Sequence, residues 1–99
     1  MPVLMSVDLP VSPDFLEAVS EEMDVRNDPP DGLIAHVFTE VAAGCYVVDI
    51  WESAEQIQRF RDDRLMPAFA KVAAAQDTSM PQDFPEPTIT PARDLVRGR

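Results

Sequence analysis

The run Cys45-Tyr46-Val47-Val48-Asp49-Ile50-Trp51-Glu52-Ser53-Ala54-Glu55-Gln56-Ile57 constrains the fold of this chain more than any other segment. Its first half is rich in β-formers, holds no breaker, and alternates side to side as a strand does. Its second half opens like a helix: Ser53 can accept from free backbone N–H groups, and Gln56 three residues on completes a capping box. A strand that runs into a helix through one polar hinge belongs to a sheet with helices packed on it. Alternation also places Asp49 and Trp51 on one face of the strand and Val48 and Ile50 on the other.

The flanking sequence supplies the remaining elements. Val3 to Leu9 reads as a first strand, ended by Pro10. Ser12-Pro13-Asp14 is a helix start, with a cap, a proline suited to the first turn and an acid at the positive end of the dipole. Phe15, Leu16, Val19 and Met23 form its apolar stripe, which carries the helix to about Val25. Asn27 to Gly32 is rich in turn residues. Leu33 to Val41 is a second strand, joined through Ala42-Ala43-Gly44 to the third, Cys45 to Trp51, as an antiparallel hairpin. Ile57, Phe60, Leu65 and Phe69 mark the second helix, and Pro67 is expected to kink or split it near Leu65. Asp77 to Pro87 reads as an irregular connection and Thr88-Ile89-Thr90 as a short last strand. Asp94-Leu95-Val96 is a candidate to extend a sheet edge or to pair with another subunit, and residues 77–99 are candidates to cross to a partner.

The order β-α-β-β-α-β is the ferredoxin-like plan, a four-stranded antiparallel sheet with two helices on one face. The 99 residues make a single α+β domain. Setting the plainly apolar Tyr46, Val48 and Ile50, with Leu33, Ala35 and Val37, against the helices leaves Ile34, His36, Phe38, Val47, Asp49 and Trp51 on the open side. Leu4, Ser6 and Asp8 are expected to join them. So apolar a face calls for a cover, most simply a second copy in a two-fold homodimer.

Charge and composition exclude several functions. Eighteen acids against eight bases give a net charge of −10, unsuited to nucleic-acid phosphates or an anionic membrane surface. No apolar run approaches the ~18 residues of a membrane span. The start, Met1-Pro2-Val3-Leu4-Met5, lacks the features of a signal peptide, and a single cysteine, Cys45, excludes an internal disulfide. The expected compartment is the cytoplasm. One histidine and scattered acids do not make a zinc or non-haem iron site, and with only three glycines there is no phosphate-cradling loop. No cofactor or metal is expected.

The run Val48-Asp49-Ile50-Trp51-Glu52-Ser53-Ala54-Glu55, with Phe60 further along the helix, resembles the dimeric α+β barrel superfamily. More narrowly it is similar to the antibiotic-biosynthesis-monooxygenase-like branch, whose third strand often ends in Trp-Glu-Ser or Trp-Glu-Asp. In element order the resemblance runs through residues 2–96. It implies a homodimer with a substrate cleft between each sheet and its helices or the partner sheet. The branch includes oxygenases that use neither metal nor flavin, haem-degrading enzymes, and cyclases and decarboxylases. The haem degraders pair the equivalent of Trp51 with a helix histidine and use an asparagine on strand one. Here the helix carries Arg61, Asp62, Asp63 and Arg64, and strand one offers Ser6 or Asp8, so haem would lack its axial imidazole.

The candidate site is built around His36, the only histidine and a possible general base. Asp49 can orient it, and the hairpin brings the two strands side by side, register permitting. Trp51 can stack on an aromatic substrate, with Phe38 and Ile34 as apolar walls. Arg64 can hold an anionic group in bidentate fashion, and Asp8 is a second possible base. The plainer alternatives are an interface histidine, a cross-strand ion pair, a core tryptophan, a helix-surface ion pair for Arg64 and a strand-end acid for Asp8. The resulting expectation is a small homodimeric enzyme that abstracts a proton from an aromatic or polyketide-like molecule and oxygenates it without a cofactor. The alternatives are a polyketide-type cyclase and a dimer that binds small molecules or serves a structural role without catalysis.

Overall fold

The structure is a computed structural model that describes residues 1–78 and 84–98. The chain runs β1 (Val3–Leu9), α1 (Pro13–Met23), β2 (Leu33–Val41), β3 (Gly44–Trp51), α2 (Ala54–Phe60), a π-helical turn (Arg61–Leu65), α3 (Met66–Ala75) and β4 (Thr88–Pro91). The sheet is antiparallel with order β2-β3-β1-β4, the topology expected of the ferredoxin-like plan.

Local chemistry places the helix ends. Ser12 accepts from the Phe15 N–H at 3.1 Å, and Pro13 occupies the first turn of α1. The helix stops at Met23, two residues short of the expected Val25, because Asp24 turns left-handed (φ 53°) and donates its N–H to the Glu21 carbonyl. Ser53 caps α2 by accepting from the Gln56 N–H. Pro67 has no N–H, and its ring would strike the carbonyl four residues back in a continuous helix. The chain answers with one wide turn just ahead of it, in which the Met66 N–H bonds the Arg61 carbonyl. The expected split near Leu65 therefore takes the form of a π turn.

Val41 pairs with Gly44, so only Ala42 and Ala43 form the hairpin turn. Gly44 has φ +143°, and a Cβ there would collide with the Leu9 carbonyl oxygen. β4 pairs with β1 of its own chain, and Ala92 continues the ladder by donating to the Pro2 carbonyl. Asp94-Leu95-Val96 forms no strand. Of the irregular connection from Asp77 to Pro87, residues 79–83 lie outside the described residues.

The sides of the sheet differ from the sequence expectation. Cys45, Val47, Asp49 and Trp51 are buried against the helices, while Tyr46 is exposed and Val48 and Ile50 are half-buried on the outer face. On β1 the expected phase holds: Met5 and Leu9 are buried, and Leu4, Ser6 and Asp8 belong to the outer face. Register settles β2, since directly opposed residues share a face. His36 opposes Asp49 and Phe38 opposes Val47, so both lie on the helix side. Val37, 59% exposed, opposes Val48 on the outer side. The expectation assigned the helix side to the residues free of charge. Both faces are in fact apolar enough to be buried, and the face with the indole wins because its carboxylate is satisfied there.

A register irregularity between Leu33 and Ala35 adds one residue to β2. Leu33 and His36, three apart, then both face the helices, which a regular strand forbids. The core between the layers centres on Val19, Trp51 and Phe69. Phe69 is fully buried, with its ring 5.5 Å from Phe15 and 5.1 Å from Phe84. Phe69→Ala is expected to lower unfolding free energy by about 3–5 kcal/mol, read as a fall in the urea midpoint at unchanged slope.

Candidate functional site

A cavity of about 250 Å³ lies between the sheet and the helices. Its floor is the sheet: Met5, Val7 and Leu9 from β1, Leu33 and His36 from β2, Val47, Asp49 and Trp51 from β3. Its roof is helical: Leu16, Ser20 and Met23 from α1, then Ile57, Phe60, Arg61, Leu65, Met66 and Phe69 along the broken second helix. Val25, Arg26 and Pro30 close one side, and Phe84, Pro85 and Pro87 also line it. This is close to the lower end of ordinary ligand sites, which begin near ~300 Å³ and are mostly apolar with a few placed polar groups.

The placed polar groups converge on Asp49. Its side chain is only 6% exposed. One carboxylate oxygen, Oδ1, lies 2.6 Å from His36 Nδ1. The other, Oδ2, accepts from the Trp51 indole N–H at 3.1 Å. An ionised carboxylate only accepts, so the proton in the first contact belongs to His36 Nδ1. In the neutral imidazole, Nε2 then carries the lone pair. The His36 side chain is 35% exposed, and Nε2 has no hydrogen-bond partner among the described residues. A buried carboxylate thus fixes one tautomer on a histidine that lines the cavity and leaves its Nε2 unpartnered among the described residues, an arrangement suited to general-base chemistry.

Each anticipated residue has a definite place. His36, Asp49 and Trp51 come together at the cavity. Trp51 is 1% exposed and packs against Phe60 with the rings tilted by 45° and their centroids 5.4 Å apart, so the indole is both core and cavity wall. Phe38 sits beside His36, with ring centroids 6.1 Å apart, but does not line the cavity. Ile34 falls at the β2 irregularity and does not line it either. Asp8 is exposed on the outer side of β1.

Arg64 lies outside the cavity. Its Nη2 donates to the carbonyls of Met23 at 2.7 Å and Asp28 at 2.8 Å, tying the π turn to the end of α1 and its following loop. A weaker 3.7 Å contact to the exposed Asp28 carboxylate and a position 6.0 Å over the Phe60 ring complete its surroundings. Arg61 and Arg26 line the cavity instead. Helical periodicity alone gave no signal for this, because the π turn adds a residue per turn and shifts which positions face inward. Among the described residues, no cluster of three or more His, Cys, Asp or Glu could hold a metal ion.

No family model and no curated protein matches the sequence. Solved structures do match in fold. Rv0793 from Mycobacterium tuberculosis is 18% identical with a TM-score of 0.60, covering 98% of this chain and 100% of its own. A candidate antibiotic biosynthesis monooxygenase from Chloroflexus aurantiacus J-10-fl is 13% identical with a TM-score of 0.58, covering 99% and 100%. SnoaB, a cofactor-independent oxygenase from Streptomyces nogalater, is 17% identical with a TM-score of 0.53, covering 96% and 94%. The chain therefore has the fold of the antibiotic-biosynthesis-monooxygenase-like proteins, as the Trp-Glu-Ser resemblance implies.

Cys45 is buried at the far end of β3, with its thiol directed at the Val11 carbonyl. Burial pushes its pKa up, and the charges of Glu40 and Glu17 push it further. Raising a thiol pKa disfavours the thiolate that reacts. The native protein is expected to resist iodoacetamide at neutral pH and to take up one equivalent only when unfolded in urea, as read by intact mass.

Proposed function

We propose that this protein is a cofactor-independent monooxygenase-like enzyme acting on an aromatic or polyketide-like small molecule. The observation that carries the reading is the 2.6 Å His36–Asp49 contact beside an apolar cavity. His36 Nε2 removes a proton from an acidic phenol or enol, and the resulting imidazolium is stabilised by Asp49. The electron-rich anion is held against Trp51 and reduces dioxygen; one oxygen atom stays in the product and the other leaves as water. The likeness to a cofactor-independent oxygenase, at 17% identity, supports the oxygen step only as an analogy of fold. The same proton abstraction without oxygen would make the protein a cyclase. The cavity beside His36 favours either enzyme over a purely structural dimer.

We further propose a homodimer formed through the outer face of the sheet. Leu4, Val37, Tyr46, Val48 and Ile50 share that face, and Val37 and Tyr46 are well exposed. This apolar sheet surface takes over the role first expected of the Trp51 face.

Oxygen uptake with an anthrone or hydroquinone substrate tests the chemistry. His36→Ala is expected to reduce kcat by about 10²–10⁴-fold, and Asp49→Asn to reduce it while leaving the fold intact by circular dichroism. Cyclised product without oxygen uptake would move the assignment to cyclase; neither product nor uptake would overturn the enzyme reading. The dimer is tested separately by light scattering. Wild type is expected at twice the chain mass, and Val48→Asp at the monomer mass.

A further inference from the structure

Three arginines lie near the cavity, and their surroundings differ. Arg64 is spent on the Met23 and Asp28 carbonyls. Arg26 lies on an exposed loop at the cavity side. Arg61 is half-buried within the π turn and lines the helical roof, across from the sheet floor that carries His36 and Asp49. Arg61 makes no ion pair or side-chain hydrogen bond among the described residues, although acids outnumber bases 18 to 8 in the chain. Among the described residues, the only carboxylate lining the cavity is Asp49, whose two oxygens are already engaged by His36 and Trp51.

A half-buried arginine that lines a mainly apolar wall and has no acid or carbonyl partner among the described residues keeps its five donors available to a ligand. The group that best restores both charge and hydrogen bonding is a planar anion able to accept two parallel N–H bonds. The π turn contributes directly, because its extra residue sets the inward positions at Phe60 and Arg61, then Leu65 and Met66, and leaves Arg64 to brace the helix from outside.

We infer that Arg61 is a specificity-determining residue that selects substrates bearing a carboxylate, held against the roof while the acidic C–H or O–H faces His36. This rests on the cavity being a small-molecule site and adds the substrate's charge to that reading. It also gives an acidic protein a local means of attracting an anion that its net charge of −10 would otherwise repel.

Calorimetry with 1-hydroxy-2-naphthoate and 1-naphthol, which share the fused rings and differ in the carboxylate, tests the inference without requiring turnover. Wild type is expected to bind the naphthoate at least about tenfold more tightly, as a charge-assisted hydrogen bond provides. Arg61→Met, which keeps the apolar stem, is expected to erase that preference and leave naphthol binding unchanged; Arg61→Lys is expected to restore part of it. Equal binding of both compounds to wild type, or an equal loss of both in Arg61→Met, overturns the role of Arg61 and leaves the cavity reading standing. Binding of neither compound overturns the small-molecule site and this inference with it. A retained preference in Arg61→Met also overturns the assignment, and Arg26→Met would then be the variant expected to lose it.

Discussion

The structure depends on the burial of one carboxylate. Asp49 lies on the inner face of a central strand, where an unpaired charge would cost several kcal/mol. It is tolerated because one oxygen meets His36 Nδ1 and the other meets the Trp51 N–H. Those contacts require β2 to pair with β3 so that His36 opposes Asp49, and a slip of one residue would turn His36 to the other face. They also direct the indole toward Phe60 and the helical layer. A single satisfied acid thus links strand register, sheet facing and helix packing, and the same acid sets the tautomer of the candidate base.

The helical layer accommodates a second constraint. Pro67 prevents a continuous helix, and the π turn before it absorbs the lost hydrogen bond. Arg64 then bridges that turn to the loop after α1. The break keeps Phe60 on Trp51 and Phe69 in the core while leaving room between them and the sheet. A small domain would ordinarily fill such space with side chains. The irregular helix preserves a cavity at the place where the polar triad sits.

Much of the fold was legible from local signals. Ser12 and Ser53 announced the helix starts, Pro67 announced the break, and the two apolar runs around Ala42-Ala43 announced the hairpin. Alternation and neighbouring strands make a contact between His36 and Asp49 feasible, and the register of the hairpin brings it about. The side on which they lie did not follow, because alternation sorts residues into two sets without saying which set meets the helices. Both sets in β3 are apolar, and a lone aspartate argues for solvent until its partners are known. Arg61 rather than Arg64 lines the cavity because of a π turn that no sequence pattern distinguishes from an α turn, and Ile34 falls at a strand irregularity with the same lack of signature.

What the sequence determined by itself is the list and order of elements, since caps, prolines and alternation act over a few residues. It also places the only histidine and Asp49 on neighbouring strands, where they share a face in one register and not in the next. The tertiary structure decided which face is interior, which arginines line the cavity, and that a cavity exists. Those outcomes depend on contacts between residues far apart in the chain: His36 with Asp49, Trp51 with Phe60, Arg64 with Met23. Burial is favourable or costly only according to the partners that arrive, and local sequence does not name them.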